Sequence, residues 1–175
     1  MRATGWNVPY YITLASGDPK IAARSKERVI QCFCLASKIG AKRIIFHPGF
    51  YPGKDAASRA AGLDRNVESL NSIGKELSED DIYIYPETAG KRNQIGSVED
   101  IIYICRHVSY ARPCIDVAHV HGFENGSITS QDKINKILDH IETELGREIL
   151  DETHFHMYPV EVDRNGEKWH QNYLY

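Results

Sequence analysis

Short apolar segments rich in β-branched and aromatic residues alternate with longer segments whose apolar residues recur every three or four positions. The first pattern is typical of buried strands and the second of amphipathic helices. The predicted strands lie at 8–14, 43–46, 82–85, 113–117 and 153–157. The predicted helices lie at 19–39, 56–77, 98–107 and 130–145, and we expect a loop from Tyr158 onward.

The helix boundaries carry their own signals. Asp18 before Pro19 is a capping residue followed by a proline in the first turn, which indicates a helix start. Gly40 is placed where a C-terminal glycine ends a helix. Ser97 with Asp100 has the spacing of a capping box and predicts the start of the third helix.

The alternating order of strands and helices predicts βαβ units and therefore a parallel sheet. Both an open doubly wound sheet and a (β/α)8 barrel satisfy this order. No G-x-G-x-x-G turn follows the first predicted strand, which counts against a dinucleotide-binding domain.

Composition narrows the class of protein. A length of 175 residues predicts one domain, spanning 1–175, and the apolar fraction of 42% is that of a globular chain. The net charge of −3 excludes a generally basic nucleic-acid coat. No segment has the apolar length of a membrane helix, so no membrane partner is expected. The four cysteines lack disulfide or zinc-finger spacing, which predicts reduced thiols and a cytoplasmic protein.

Histidine and acidic residues lie where the predicted strands end. They are His47, Glu87, Asp116, His119, His121, His154 and His156. Because the carboxyl ends of parallel strands meet at one face, these residues are expected to converge. Histidine and carboxylate side chains together are typical ligands of Zn²⁺ and related divalent ions. The spacing therefore predicts a metal site.

Five ordered motifs span nearly the whole chain. They are His47-Pro48-Gly49-Phe50-Tyr51, Pro86-Glu87-Thr88-Ala89-Gly90, Cys114-Ile115-Asp116-Val117-Ala118-His119, Phe155-His156 and Gly166-Glu167-Lys168-Trp169-His170. Together they resemble the endonuclease IV family of abasic-site endonucleases, within the xylose isomerase-like barrel superfamily. The resemblance implies an α/β fold, here a partial (β/α)8 TIM barrel of about five βα units with parallel strands.

The resemblance also implies an activity: hydrolysis of the phosphodiester 5′ to an abasic site in duplex DNA, by a cluster of up to three Zn²⁺, with Mn²⁺ as an alternative ion. Carried over by motif, Glu87 and Asp116 are the catalytic carboxylates. The implied metal ligands are His47, Glu87, Asp116, His119, His156 and His170. The implied DNA contacts are Tyr10, Lys91 and Arg92.

The sequence departs from the family pattern at three points. Asn7 stands where the family has a metal-binding histidine, and Lys168 stands where it has an aspartate. A closed barrel needs about 250 residues. The chain is therefore expected to be part of a longer protein, or a short relative that self-associates to cover open strand edges. A divalent-metal sugar isomerase or epimerase of the same superfamily, and an inactive metal- or DNA-binding remnant, stay open as alternatives.

Overall fold

The structure is a computed structural model that describes the backbone of residues 5–7, 12–76, 82–157, 160–163 and 166–170 and the side chains of 12–76 and 82–157. The strands are β1 (Gly5–Asn7), β2 (Arg43–Phe46), β3 (Tyr83–Pro86), β4 (Cys114–Asp116), β5 (His154–His156), β6 (Val160–Asp163) and β7 (Gly166–His170). The helices are α1 (Pro19–Ile39), α2 (Ala56–Glu76), α3 (Val98–His107), α4 (Val117–Phe123), α5 (Gln131–Leu145) and α6 (Arg147–Glu152).

Five strands lie side by side in chain order and run parallel. β2 pairs with β1 on one side and with β3 on the other. Single parallel bridges, Ile84 with Ala111 and Glu87 with Cys114, carry the arrangement from β3 to β4, and β4 pairs with β5. This is the arc of a (β/α) barrel, so the predicted fold class is confirmed.

The two faces of the strands have different surroundings because successive side chains point to opposite sides. Ile44, Phe46 and Ile84 face the helices and belong to the largest apolar cluster. Ile45, Tyr85 and Cys114 face the opposite side, which is the inner face of the barrel. The residues that follow on this inner face, at the strand ends, are therefore positioned to build a site.

The helix boundaries follow the predicted caps. Asp18 accepts a hydrogen bond from the Lys20 N–H at 2.8 Å, and Gly40 adopts the left-handed conformation at φ +70° that ends α1. Ser97 and Asp100 form the capping box of α3. None of the helices in the described ranges is long and apolar enough to cross a membrane.

Three predictions about elements are wrong. The first strand is Gly5–Asn7, and residues 12–14 of the predicted strand lie in no strand, because Ile12 and Leu14 are buried in the helix-facing cluster instead of pairing. Residues 8–11 lie outside the described range. Val117 begins α4 directly after β4, since the Asp116 carboxylate caps the helix. The tail forms the antiparallel pair β6–β7, which the alternating Val160–Asp163 segment supports.

Candidate metal centre

The strand ends bring together four of the predicted ligands from distant parts of the sequence. His47 directly follows β2, Glu87 directly follows β3, and Asp116 and His156 are the last residues of β4 and β5. The Glu87 N–H donates to the Phe46 carbonyl at 2.9 Å, and Asp116 is in register with His156. The parallel pairing thus places all four at one edge of the barrel.

The Glu87 carboxylate lies at the centre of a histidine cluster. Its Oε1 accepts a hydrogen bond from His156 Nδ1 at 2.6 Å and lies 3.9 Å from His119 Nδ1. Its Oε2 lies 3.5 Å from His47 Nε2. Glu87 is buried, with 7% of its surface exposed, so the three histidines replace most of its contact with water.

Asp116 divides its two carboxylate oxygens between structure and site. Its Oδ1 accepts hydrogen bonds from the backbone N–H groups of Ala118 and His119, at 2.8 and 3.1 Å, and so caps α4. Its Oδ2 lies 3.7 Å from His119 Nδ1 and 3.9 Å from His156 Nδ1. The cap therefore orients the carboxylate with one oxygen toward the histidines.

Thr88 positions two of these residues, a role that sequence reasoning missed. Its buried hydroxyl accepts the Asp116 N–H at 2.8 Å and donates to the Asp116 carbonyl at 3.2 Å. Its own carbonyl accepts from His119 Nδ1 at 2.8 Å. A donated Nδ1–H leaves Nε2 of neutral His119 with its lone pair, as a metal ligand requires. The signal in the sequence was a hydroxyl residue directly after Glu87.

The ionisation of the cluster follows from these contacts. Burial opposes a charge on Glu87, but the His156 hydrogen bond and the nearby His47, His156 and His119 rings outweigh it and lower the pKa of the Glu87 carboxyl. The hydrogen bond to Glu87 raises the pKa of His156 above its ordinary value. Both shifts favour the charged form of the two groups, the Glu87 carboxylate and the His156 imidazolium.

Two groups of donor atoms are close enough to hold a cation. One consists of His47, Glu87 and His119, and the other of Glu87, Cys114 and His156; within each group the ligand atoms lie within 4.8 Å of one another. Both groups use Glu87, which is the arrangement that two neighbouring cations bridged by one carboxylate require. The nitrogen, oxygen and sulfur donors fit Zn²⁺.

Cys114 was absent from the predicted set. Its bridge with Glu87 and its fully buried side chain on the inner face place it in the second group. Burial raises the pKa of its thiol, and the Glu87 and Asp116 carboxylates raise it further. The available signal was its position two residues before Asp116, on the same face of a strand.

The His154 side chain contacts Arg43 and Tyr85. Its Nδ1 lies 3.2 Å from Nη1 of Arg43, and its ring meets the Tyr85 ring edge-on. Burial, the charge on His156 and the charge on Arg43 lower the pKa of His154. Of the two histidines on β5, only His156 contacts Glu87 among the described side chains.

The other predicted site residues stay predictions. Tyr10 lies outside the described residues. His170 lies in β7 and Asn7 in β1, and of each the structure describes the backbone alone. Lys91 and Arg92 are exposed on the loop that follows Glu87, where Arg92 Nε donates to the Phe123 carbonyl at 3.2 Å.

Comparisons with known proteins agree with this architecture. The sequence model of the xylose isomerase-like TIM barrel family matches residues 2–172. A probable endonuclease 4 of Mycoplasma pneumoniae is 29% identical over 153 residues, which are 85% of this chain and 50% of that protein. The chain spans about half the length of the curated relatives it matches.

Solved structures of two activities share the fold. Endonuclease IV from Thermus thermophilus is similar with a TM-score of 0.59 and 17% identity, over 83% of this chain and 50% of the other. The 3-keto-D-glucoside 4-epimerase YcjR of E. coli is similar with a TM-score of 0.66 and 14% identity, over 89% of this chain and 58% of the other. At these identities the likeness concerns the fold alone.

Proposed function

This chain belongs to the xylose isomerase-like TIM barrel family, and from that membership we propose that it is a zinc-dependent endonuclease that hydrolyses the phosphodiester 5′ to abasic sites in DNA. One observation carries the proposal. The buried Glu87 carboxylate belongs to two groups of metal-ligating side chains at once. The names of several relatives, such as the probable endonuclease 4 of Mycoplasma pneumoniae, point to the same activity.

The proposed ligands divide around Glu87. His47, Glu87 and His119 would hold one ion, and Glu87 with Asp116 and His156 would hold a neighbouring one. His170 is proposed as a further ligand, and Cys114 is the added donor of the second group. A divalent ion at such a site acts as a Lewis acid toward a phosphodiester and supplies a nucleophile at neutral pH.

The protein's own contribution is to prepare the donors. The lowered pKa of Glu87 keeps its carboxylate ionised at neutral pH, as a shared ligand must be. The carbonyl of Thr88 holds His119 in one orientation, and the α4 cap holds Asp116 in one rotamer. Donors fixed before binding lose less conformational entropy when they coordinate an ion or orient a substrate.

The remaining proposed contacts concern DNA. Tyr10 is proposed to pack against the damaged nucleotide, and Lys91 and Arg92 to contact phosphates. Mn²⁺ is the alternative ion, and the cytoplasm the proposed compartment, in keeping with the four free thiols. Because the chain covers about half of its relatives' length, the substrate and partners of the whole protein belong to this proposal as well.

The test is cleavage of a duplex oligonucleotide with one abasic site by zinc-loaded protein, with a parallel reaction in chelator. We expect cleavage 5′ to the site, abolished by chelator and lowered at least a hundredfold in Glu87→Gln. Glu99→Gln is the matched control, because Glu99 is an exposed glutamate paired with His140 outside the metal centre. Equal activity of Glu87→Gln and Glu99→Gln would sink the proposal.

A sugar epimerase is the second candidate. It is favoured by the fold likeness to 3-keto-D-glucoside 4-epimerase and by two carboxylates, Glu87 and Asp116, in one metal-ligating cluster. Turnover of a ketose by folded, metal-loaded protein that leaves abasic DNA intact would establish it. Zinc binding without turnover of either substrate would instead indicate a binding remnant.

A further inference from the structure

A cavity of about 500 Å³ lies between the loops that follow β2 and β3, the strands that His47 and Glu87 directly follow. The two loops are joined by backbone hydrogen bonds, from Tyr51 N–H to the Asn93 carbonyl at 3.1 Å and from Ile95 N–H to the Gly49 carbonyl at 2.9 Å. Three cationic residues line the cavity, Lys54, Arg59 and Arg92, and no acidic residue belongs to its lining in the described part of the chain.

Two of the cations are held in place. The Arg59 guanidinium lies 3.9 Å from the centroid of the Tyr51 ring, and its Nη2 donates to the Arg92 carbonyl at 3.4 Å. The Tyr51 hydroxyl donates to the Asp100 carboxylate, which anchors the ring beneath Arg59. Arg92 Nε donates to the Phe123 carbonyl. Each guanidinium has five N–H donors, so these contacts leave donors over for a ligand.

The acidic residue next to Lys54 in the sequence is engaged at the start of α2. Asp55 follows Lys54, but its carboxylate accepts the Ser58 N–H at 2.9 Å and the Ser58 hydroxyl at 2.6 Å, at the start of α2. Like charges gathered around one cavity repel each other unless an anion separates them. Fork-shaped guanidiniums match the oxygens of phosphate in particular.

We propose that this cavity binds a phosphate group of the substrate. The inference rests on the proposed function only for the identity of the molecule that carries the phosphate, which is DNA. Phe50, at the cavity wall, is three residues from His47, so the two Cα atoms lie at most about 11 Å apart. Phosphates of one DNA strand recur about every 3.4 Å along the axis. A phosphodiester within about three nucleotides of the metal centre therefore reaches the cavity, with Arg59 and Lys54 as contacts beyond Arg92.

The experiment measures how DNA affinity depends on salt. The probe is a duplex whose phosphodiester 5′ to one abasic site is replaced by an uncleavable methylphosphonate, added to zinc-loaded protein. Lys54→Gln/Arg59→Gln is compared with Lys133→Gln/Lys136→Gln, which makes the same charge change at exposed positions on α5. Losing one phosphate contact lowers the slope of log affinity against log salt by about 0.9.

We expect this smaller slope in the cavity variant alone, so that its affinity falls about 3.5-fold less than that of the wild type between about 50 and 200 mM salt. Equal slopes in all three proteins, or an equally reduced slope in the α5 control, would exclude a DNA phosphate as the ligand of the cavity. Lys54→Gln alone serves if the double variant does not fold, because Lys54 is exposed.

A second arm identifies the carrier of the phosphate. Fructose 6-phosphate and fructose are compared as ligands of the wild type and of the cavity variant. A preference for the phosphorylated ketose that disappears in the variant supports the cavity while contradicting the nuclease. A changed DNA slope without DNA cleavage likewise supports the cavity and contradicts the proposed function. Unchanged slopes together with no preference for the phosphorylated sugar would overturn the phosphate cavity itself.

Discussion

Replacing Thr88 by valine tests whether its hydroxyl joins β3 to β4 at the metal centre. Valine has nearly the same shape, so the substitution opens no cavity. It removes the acceptor of the Asp116 N–H, a 2.8 Å bond, and the donor to the Asp116 carbonyl. A buried donor left without a partner costs about 1–3 kcal/mol. We therefore expect the free energy of unfolding to fall by about 2 kcal/mol.

The same substitution is expected to weaken zinc binding. The Thr88 hydroxyl holds the backbone of the ligand Asp116 in place, and the substitution removes it, whereas the Thr88 backbone carbonyl that orients His119 is unchanged. Losing such support lowers metal affinity by about 10–100-fold. Stability is measured by urea unfolding of chelator-treated protein, and affinity by competition with a zinc-binding dye.

Two further variants make the result specific. Thr88→Ser keeps the hydroxyl and should retain zinc affinity, losing only about 0.8 kcal/mol for one buried methyl group. Thr143→Val removes an exposed hydroxyl that donates to the Asp139 carbonyl, and should change stability by less than about 0.5 kcal/mol. Wild-type stability and zinc affinity in Thr88→Val would refute the positioning role.

Two other outcomes follow from the described residues. Because folding lowers the pKa of Glu87, this carboxylate stabilises the metal-free fold at pH values above its ordinary pKa of 4.5. Because folding raises the pKa of His156, this histidine stabilises the metal-free fold at pH values below its ordinary pKa of 6.5. Urea unfolding in chelator should thus show the pair's contribution highest between pH 4.5 and 6.5, falling on both sides, and His156→Gln should flatten the profile. Gly49→Ala should lower the melting temperature, because φ is +101° and a Cβ would lie 2.6 Å from the Ile12 carbonyl oxygen; Gly17→Ala, with open space, should not.

Much of the fold follows from local signals in the sequence. Asp18, Gly40 and Ser97 mark helix boundaries because caps depend on residues only a few positions apart. The order of strands and helices determines a parallel sheet, since each crossover returns the chain in the same direction. That direction alone is why His47, Glu87, Asp116 and His156 could be expected together.

Local pattern was insufficient where a segment's environment decides its structure. Ile12 and Leu14 are as apolar as a strand would be, but their burial against the helices takes the place of strand pairing. Val117 begins a helix because the Asp116 side chain caps it, although β-branched residues favour strands. Such preferences are weak priors that tertiary packing overrides.

Only the tertiary structure decided which candidate ligands join the metal centre and which contact other residues. His154 and His156 share one face of β5, yet His154 contacts Arg43, 111 residues away, and His156 contacts Glu87, 69 residues away. Cys114 joins the cluster through its bridge with Glu87. The sequence determined the donor types and the face of the barrel on which they lie. Their partners depend on strand register, which joins residues too distant in the chain for any local pattern to specify.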